Sequence, residues 1–115
     1  MRMPRVVDLA VGEWQQHARF PGISMKSLLT TSDNPFANVN VIQVPPGAAV
    51  GSHHHAEQVE TVWVITGNAI LTLDQTEVSI TDGQIIAIPI GLEHALRNDG
   101  PILVELLTFF TPPLA

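Results

Sequence analysis

Gly47-Ala48-Ala49-Val50-Gly51-Ser52-His53-His54-His55-Ala56-Glu57-Gln58-Val59-Glu60-Thr61-Val62-Trp63-Val64-Ile65-Thr66-Gly67 is the stretch on which the reading of this chain turns. Three consecutive imidazoles are followed by the carboxylate of Glu60 and then by an apolar, β-branched run that stops at Gly67-Asn68. Imidazole nitrogen and carboxylate oxygen are donors that divalent transition metals take. A fourth imidazole, His94, follows a Pro89-Ile90-Gly91 turn. Successive side chains of a strand point to opposite faces, so His53 and His55 share a face about 7 Å apart while His54 points away. Glu60 lies an odd number of positions from His55, which simple alternation puts on the other face. A bend or bulge across Ala56-Glu57-Gln58 would bring it back. A His-x-His pair alone is a weak signal, and His17, outside any cluster, reads as structural or exposed.

Outward from this stretch the chain is a series of short β-branched runs separated by turn formers. The runs are Ile23 to Thr30, Asn38 to Val44, Val59 to Thr66, Asn68 to Asp74, Thr76 to Ile80, Gln84 to Ile88, Glu93 to Asn98 and Ile102 to Phe110. Pro45-Pro46-Gly47, Thr81-Asp82-Gly83 and Asp99-Gly100-Pro101 punctuate them. Many short strands at regular spacing predict an all-β sandwich or barrel. Asp8 is expected to cap a short helical turn toward Trp14, and the Thr111-Pro112-Pro113 tail cannot pair as a central strand. With no repeat, low-complexity tract or linker, residues 1–115 read as one domain. Val62-Trp63-Val64-Ile65 and Ile102 to Phe110 are apolar on both faces, which predicts burial on both. One small barrel cannot bury both faces of every strand, so a homodimer is expected.

Composition narrows the function. Five basic residues against eleven acidic ones give a formal charge of −6, a poor match for the phosphates of a nucleic acid or for an anionic membrane. With 0 cysteines, disulfides, zinc fingers and Fe–S clusters are excluded. No apolar run approaches the roughly 20 residues that cross a bilayer. Asp8 interrupts the apolar stretch that a signal peptide beginning at Met1-Arg2 would need, so a cytoplasmic protein is expected.

Gly47, the three histidines, Glu60 and Gly67 resemble the first motif of the cupin superfamily. Gly83, Pro89-Ile90-Gly91, His94 and Asn98 resemble the second. The motifs span 47–67 and 83–98, with an interval typical of small single-domain cupins. The resemblance implies an antiparallel jelly-roll barrel, a double-stranded β-helix, of six to eight strands. It also implies that His53, His55, Glu60 and His94 bind one metal inside the barrel. Gly47, Gly67, Gly83 and Gly91 are expected at strand ends, and Asn98 in a hydrogen bond to a neighbouring loop.

Three imidazoles and a carboxylate suit Mn, Fe, Co, Ni, Cu or Zn without selecting among them. Four protein ligands would leave two positions of an octahedron open for water, dioxygen or a chelating substrate. The expected activity is that of a small-molecule enzyme, of dioxygenase or isomerase/lyase type, on a chelating carbonyl compound. A non-catalytic ligand-binding or sensor barrel, with the metal in a structural role, is the alternative. The polar candidates beside the pocket are Gln58, Asn40, Gln43 and Lys26. No catalytic residue is assigned beyond the ligands. The ending Leu107 to Pro113 and the run Pro21 to Lys26 look similar to small cupins that process unsaturated uronates. The scarcity of arginine argues against a strongly anionic sugar.

Overall fold

The computed structural model describes residues 3–114. Met1, Arg2 and Ala115, the ends of the expected domain and the start of the leader reading, lie outside that range. The strands are β1 (Gln15–Gln16), β2 (Ser24–Leu29), β3 (Asn38–Val44), β4 (Ala49–His53), β5 (Val59–Thr66), β6 (Asn68–Leu73), β7 (Thr76–Thr81), β8 (Ile85–Ile88), β9 (His94–Arg97) and β10 (Val104–Thr111). Among the described residues no helix is long and apolar enough to cross a membrane.

The strands form a six-stranded sheet in the order β1-β2-β3-β10-β5-β8 and a four-stranded sheet in the order β4-β9-β6-β7. Every pairing is antiparallel. The chain alternates between the sheets, which gives the jelly roll, the architecture that the spacing of the short runs predicts. The described residues thus form ten strands rather than six to eight, one of them the two-residue β1. β3 and β5 have the expected bounds, and the other expected runs shift by a residue or two at their ends.

Two-residue periodicity decides which side chains meet. Val104, Leu106, Thr108 and Phe110 of β10 face inward with Val62 and Val64 of β5 and Asn40 and Ile42 of β3. Leu71 and Leu96 approach them from the four-stranded sheet. Each fully buried Val, Leu or Ile contributes about 1.5–3 kcal/mol relative to exposure. The outward face carries a second apolar cluster, in which Leu28, Val39 and Val41 are covered by Val7, Leu29, Ile65, Leu107 and Phe109. Part of the second apolar face thus finds its cover in the chain's own N-terminal segment. Trp63 and Ile85, paired across β5 and β8, remain 40% and 64% exposed.

The N-terminal segment corrects one expectation. Asp8 does cap a turn, with Ala10 N–H donating to its Oδ1 at 2.9 Å and Val11 N–H to its carbonyl at 3.1 Å, but the turn does not continue as a helix. Lys26 Nζ holds this segment by donating to the Leu9 carbonyl at 2.7 Å, and it lies 4.3 Å from the Trp14 ring centroid.

Two motif residues fix the strands around the site. Asn98, 1% exposed, donates through Nδ2 to the carbonyls of Val44 and Ile102, each at 2.8 Å, and its Oδ1 accepts from Gly100 N–H at 3.0 Å. At Gly67 φ is +100°, and a Cβ there would stand 2.9 Å from the Leu103 carbonyl oxygen, which is why glycine fits between β5 and β6.

Candidate metal centre

The cluster is assembled from both sheets. His53 ends β4 and is directly opposite His94, the first residue of β9. Glu60, in the six-stranded sheet, is the second residue of β5 and pairs with Phe110 of β10 and Ile88 of β8. His55 lies on neither sheet: the chain leaves β4 after His53, bends at Ala56-Glu57 and re-enters as β5. That bend is where the alternation argument needed one, and it turns Glu60 inward. A second irregularity, a register shift between Val50 and His53, belongs to β4 itself. His53 and His55 therefore meet through the chain's departure from the strand, not as alternate residues along it. Gly91 N–H donates to the His55 carbonyl at 2.9 Å and ties this loop to the turn that delivers His94.

One donor atom from each of His53, His55, Glu60 and His94 lies within 4.8 Å of all the others. Metal–ligand bonds of about 2.0–2.2 Å put the donors around one ion at most roughly 4.4 Å apart, so these four lie close to the spacing an ion requires. The ring centroids of His53 and His94 are 4.3 Å apart, and those of His53 and His55 5.0 Å. Phe110 packs edge-on against His55 at 5.0 Å, and Phe20 lies 5.4 Å from His53.

Hydrogen bonds set the tautomers. His53 Nδ1 is 2.7 Å from the Gly51 carbonyl and His94 Nδ1 is 2.9 Å from that of Leu92. A carbonyl oxygen only accepts, so the proton of each neutral ring sits on Nδ1 and Nε2 keeps its lone pair, the arrangement of a metal-binding histidine. Glu60 Oε1 lies 3.0 Å from His94 Nε2 and 3.3 Å from His55 Nε2. The second approach is not aligned as a hydrogen bond, and the buried His55 Nε2 has no partner. Three imidazole nitrogens, one of them without a partner, and a carboxylate oxygen converge at this point. Such a donor set can hold a metal ion.

Protonation follows the same logic. Burial pushes the pKa of His53 below its usual value, by more than the bond to Gly51 lifts it. Burial also works against charge on His94, yet the bonds to Glu60 and to the Leu92 carbonyl outweigh it and hold its pKa above the ordinary value. Without an ion, a proton on His94 is the cation that Glu60 attracts.

His54 points away, as expected, with Nδ1 2.9 Å from Glu93 Oε1 at the surface. Ser52 donates to the other oxygen of Glu93 at 2.7 Å, and these two contacts hold the Glu93 carboxyl below the usual carboxylate range.

The cluster opens into a cavity of about 230 Å³. Its wall is largely aliphatic and aromatic, including Ile42, Leu71, Leu96, Leu106 and Phe110. Of the expected polar candidates, only Asn40 lines it. Gln43 pairs with Glu105 at 3.1 Å on the outward face, Gln58 donates to the Pro113 carbonyl at 3.4 Å, and Lys26 is committed to the N-terminal segment. His17, read as lying outside any cluster, also lines the cavity. Its Nδ1 accepts from the backbone N–H of Arg19 at 3.1 Å and Phe20 at 3.3 Å, which ties His17 to two further residues that line the cavity. Burial, then the nearby Arg19, keeps the His17 pKa below its usual value. Thr108, which lines the cavity as well, was not singled out as a pocket residue; its inward register between Leu106 and Phe110 is the signal that would have found it.

Comparison with known proteins agrees with this architecture. Residues 40–110 match the family described as "Cupin domain". A mannose-1-phosphate guanylyltransferase of Klebsiella pneumoniae is 37% identical over 73 residues, which are 64% of this chain but 16% of that enzyme. The chain thus spans a small part of the length of such curated relatives. The crystal structure of a predicted oxalate decarboxylase from Thermotoga maritima superposes with a TM-score of 0.85 at 22% identity, covering 94% of this chain and 99% of that one. A sugar phosphate isomerase from a cupin superfamily, of Silicibacter pomeroyi, gives a TM-score of 0.76 at 27% identity, covering 93% and 75% of the two chains. With the family match spanning more than half of its length, this chain belongs to the cupins.

Proposed function

We propose that His53, His55, Glu60 and His94 hold one divalent transition metal and that the protein is an enzyme acting on a small molecule that chelates it through a carbonyl group. The observation that supports this most is the convergence of four donor atoms within 4.8 Å at the wall of a mostly apolar cavity. The ion, when bound, supplies Lewis-acid polarisation of a carbonyl or a redox centre for oxygenation. The chain's own residues do the rest. The carbonyls of Gly51 and Leu92 orient two imidazoles, Glu60 adds negative charge, and Phe20 and Phe110 exclude water from the ligand side of the rings. Low solvent access strengthens each electrostatic contact inside.

The reaction is of dioxygenase or isomerase/lyase type, and the two separate experimentally. Elemental analysis of protein purified without added metal names the ion. Oxygen uptake by the iron-loaded protein with diketones, catechols and flavonols tests the first type. NMR of keto sugars and uronates incubated with the protein tests the second. Less than a small fraction of an equivalent of any divalent metal, after saturation and desalting, would sink the reading.

A ligand-binding or sensor role is the second reading. Apart from the cluster, His17 and Arg19 are the titratable side chains among those lining the cavity, and a wall so poor in acid–base groups suits retention as well as turnover. Binding without turnover across both substrate panels would favour it. Exposed Trp63 and Ile85, adjacent on the outer face next to the open edge of β8, support assembly as a homodimer. The whole chain is read as one domain around this site.

A further inference from the structure

One buried hydroxyl in the cavity makes no hydrogen bond to the rest of the protein. Thr108 is 1% exposed and its Oγ1 has no hydrogen-bond partner. Burying a hydroxyl without a partner is unfavourable, and valine would fill nearly the same space without that penalty. Thr108 sits on β10 with its side chain toward the cavity, directly opposite Asn40 of β3 on one side and Val62 of β5 on the other. Asn40, 8% exposed, lines the same cavity and brings an amide that both donates and accepts. The two polar side chains form a cross-strand pair within an otherwise apolar stretch of wall, Ile42 and Leu106 being their neighbours on the deeper side.

Their position relative to the cluster follows from the register. Val62 is opposite Thr108, and Glu60 is two residues from Val62 on the same face of β5. Thr108 and Glu60 are therefore diagonal neighbours, with their α-carbons about 7–8 Å apart. A ligand bridging from the cluster to Thr108 needs a body of about four or five bonds. The cavity, about 230 Å³, lies below the range of drug-sized sites.

We propose that Thr108, with Asn40 beside it, anchors an uncharged hydroxyl or keto group at the far end of the molecule whose near end lies at the His–Glu cluster. This rests on the metal reading above and narrows its substrate class. The occupant is a small compound with chelating oxygens at one end, an apolar body of a few carbons, and a second neutral oxygen about five bonds away. Threonine and asparagine carry no charge to neutralise an anion. The one cationic side chain among those lining the cavity, Arg19, is exposed, with its guanidinium 5.2 Å from the Phe20 ring centroid, so a carboxylate is accommodated only toward solvent.

The test uses two hydroxamate chelators, 4-hydroxybutanohydroxamate and butanohydroxamate, which differ only in the distal hydroxyl. Each is titrated calorimetrically into the full chain saturated with nickel, as wild type, Thr108→Val and Thr108→Ser. The wild type is expected to bind the hydroxylated probe about three- to tenfold more tightly, the worth of one hydrogen bond. Thr108→Val abolishes that ratio while butanohydroxamate binds as before, and Thr108→Ser restores it. Without probe, the melting temperature of Thr108→Val equals or exceeds that of the wild type, because an unpartnered hydroxyl has been removed. An unchanged ratio in Thr108→Val, or a clear fall in its melting temperature, would overturn the proposal. If neither hydroxamate binds any variant, the metal reading fails at the cluster. The thermal comparison then decides Thr108 alone, with a melting temperature no lower than wild type upholding a hydroxyl kept for a ligand and a lower one refuting it.

Discussion

Glu60 is the one buried acidic residue among the described residues. Its carboxylate is buried, and its nearest polar contacts are two imidazoles, one of them misaligned for bonding. A buried anion in that position asks for a cation, which protonated His94 or a metal supplies. Removing one imidazole removes a ligand and unbalances Glu60 as well. His94→Ala is thus expected to weaken nickel or zinc binding by at least about 100-fold, more than the loss of an outer partner such as a carbonyl-bonded group. Competition titration against a chelator of known affinity reads this directly, and unchanged affinity would show that His94 is not a ligand. Asn98 is the structural counterpart. Asn98→Ala leaves the Val44 and Ile102 carbonyls without their donor and is expected to lower stability by about 2–3 kcal/mol in urea unfolding.

At the scale of elements, strands that are apolar on both faces resolve into two clusters. The outer one depends on the N-terminal segment, which contributes Val7. Val7→Ser is expected to cost about 1 kcal/mol of stability while metal affinity stays as in wild type, since the outer cluster lies on the opposite face of the six-stranded sheet from the cavity. A parallel fall in metal affinity would contradict this separation. Gly67→Ala tests the β5–β6 junction, where a positive φ and the Leu103 carbonyl leave no room for a Cβ, and a loss of about 2 kcal/mol or more is expected. Much of this was legible in the sequence. Periodicity and turn formers mark β3 and β5 to the residue, because β-branched runs there end at Pro45-Pro46-Gly47 and Gly67-Asn68. The His–Glu spacing marks the four clustered residues. Other features were not legible, for physical reasons. The Gly51-Ser52 irregularity and the departure of His55 from the strand depend on pairing with β9, which local sequence does not encode. His17 joins the cavity through a loop closed by its own backbone bonds, and Lys26 turns outward to meet carbonyls far away in sequence.

For the molecule as a whole, an ion bound to the folded state alone must couple to stability. At a free metal concentration of 100 times Kd the gain is about 2.7 kcal/mol, so chelation is expected to lower the melting temperature by several degrees. The dependence on acidity has a definite sign. Ligands bind metal with their nitrogens unprotonated, and His94 holds its proton to higher pH than an ordinary histidine. Metal affinity should therefore fall as pH drops, with a proton competing at His94 before His53, and a flat profile from neutral to mildly acid pH would contradict histidine ligation. Assembly is tested by sedimentation: Ile85→Glu on the exposed outer face should shift a dimer to a monomer without altering metal content. The central claim is the convergence of His53, His55, Glu60 and His94 on one cation, and anomalous diffraction from crystals grown in manganese or nickel tests it most directly. The expected result is a single strong peak about 2.0–2.3 Å from three imidazole nitrogens and one Glu60 oxygen. A peak confined to the surface pair His54 and Glu93, with none among the four buried donors, would contradict it.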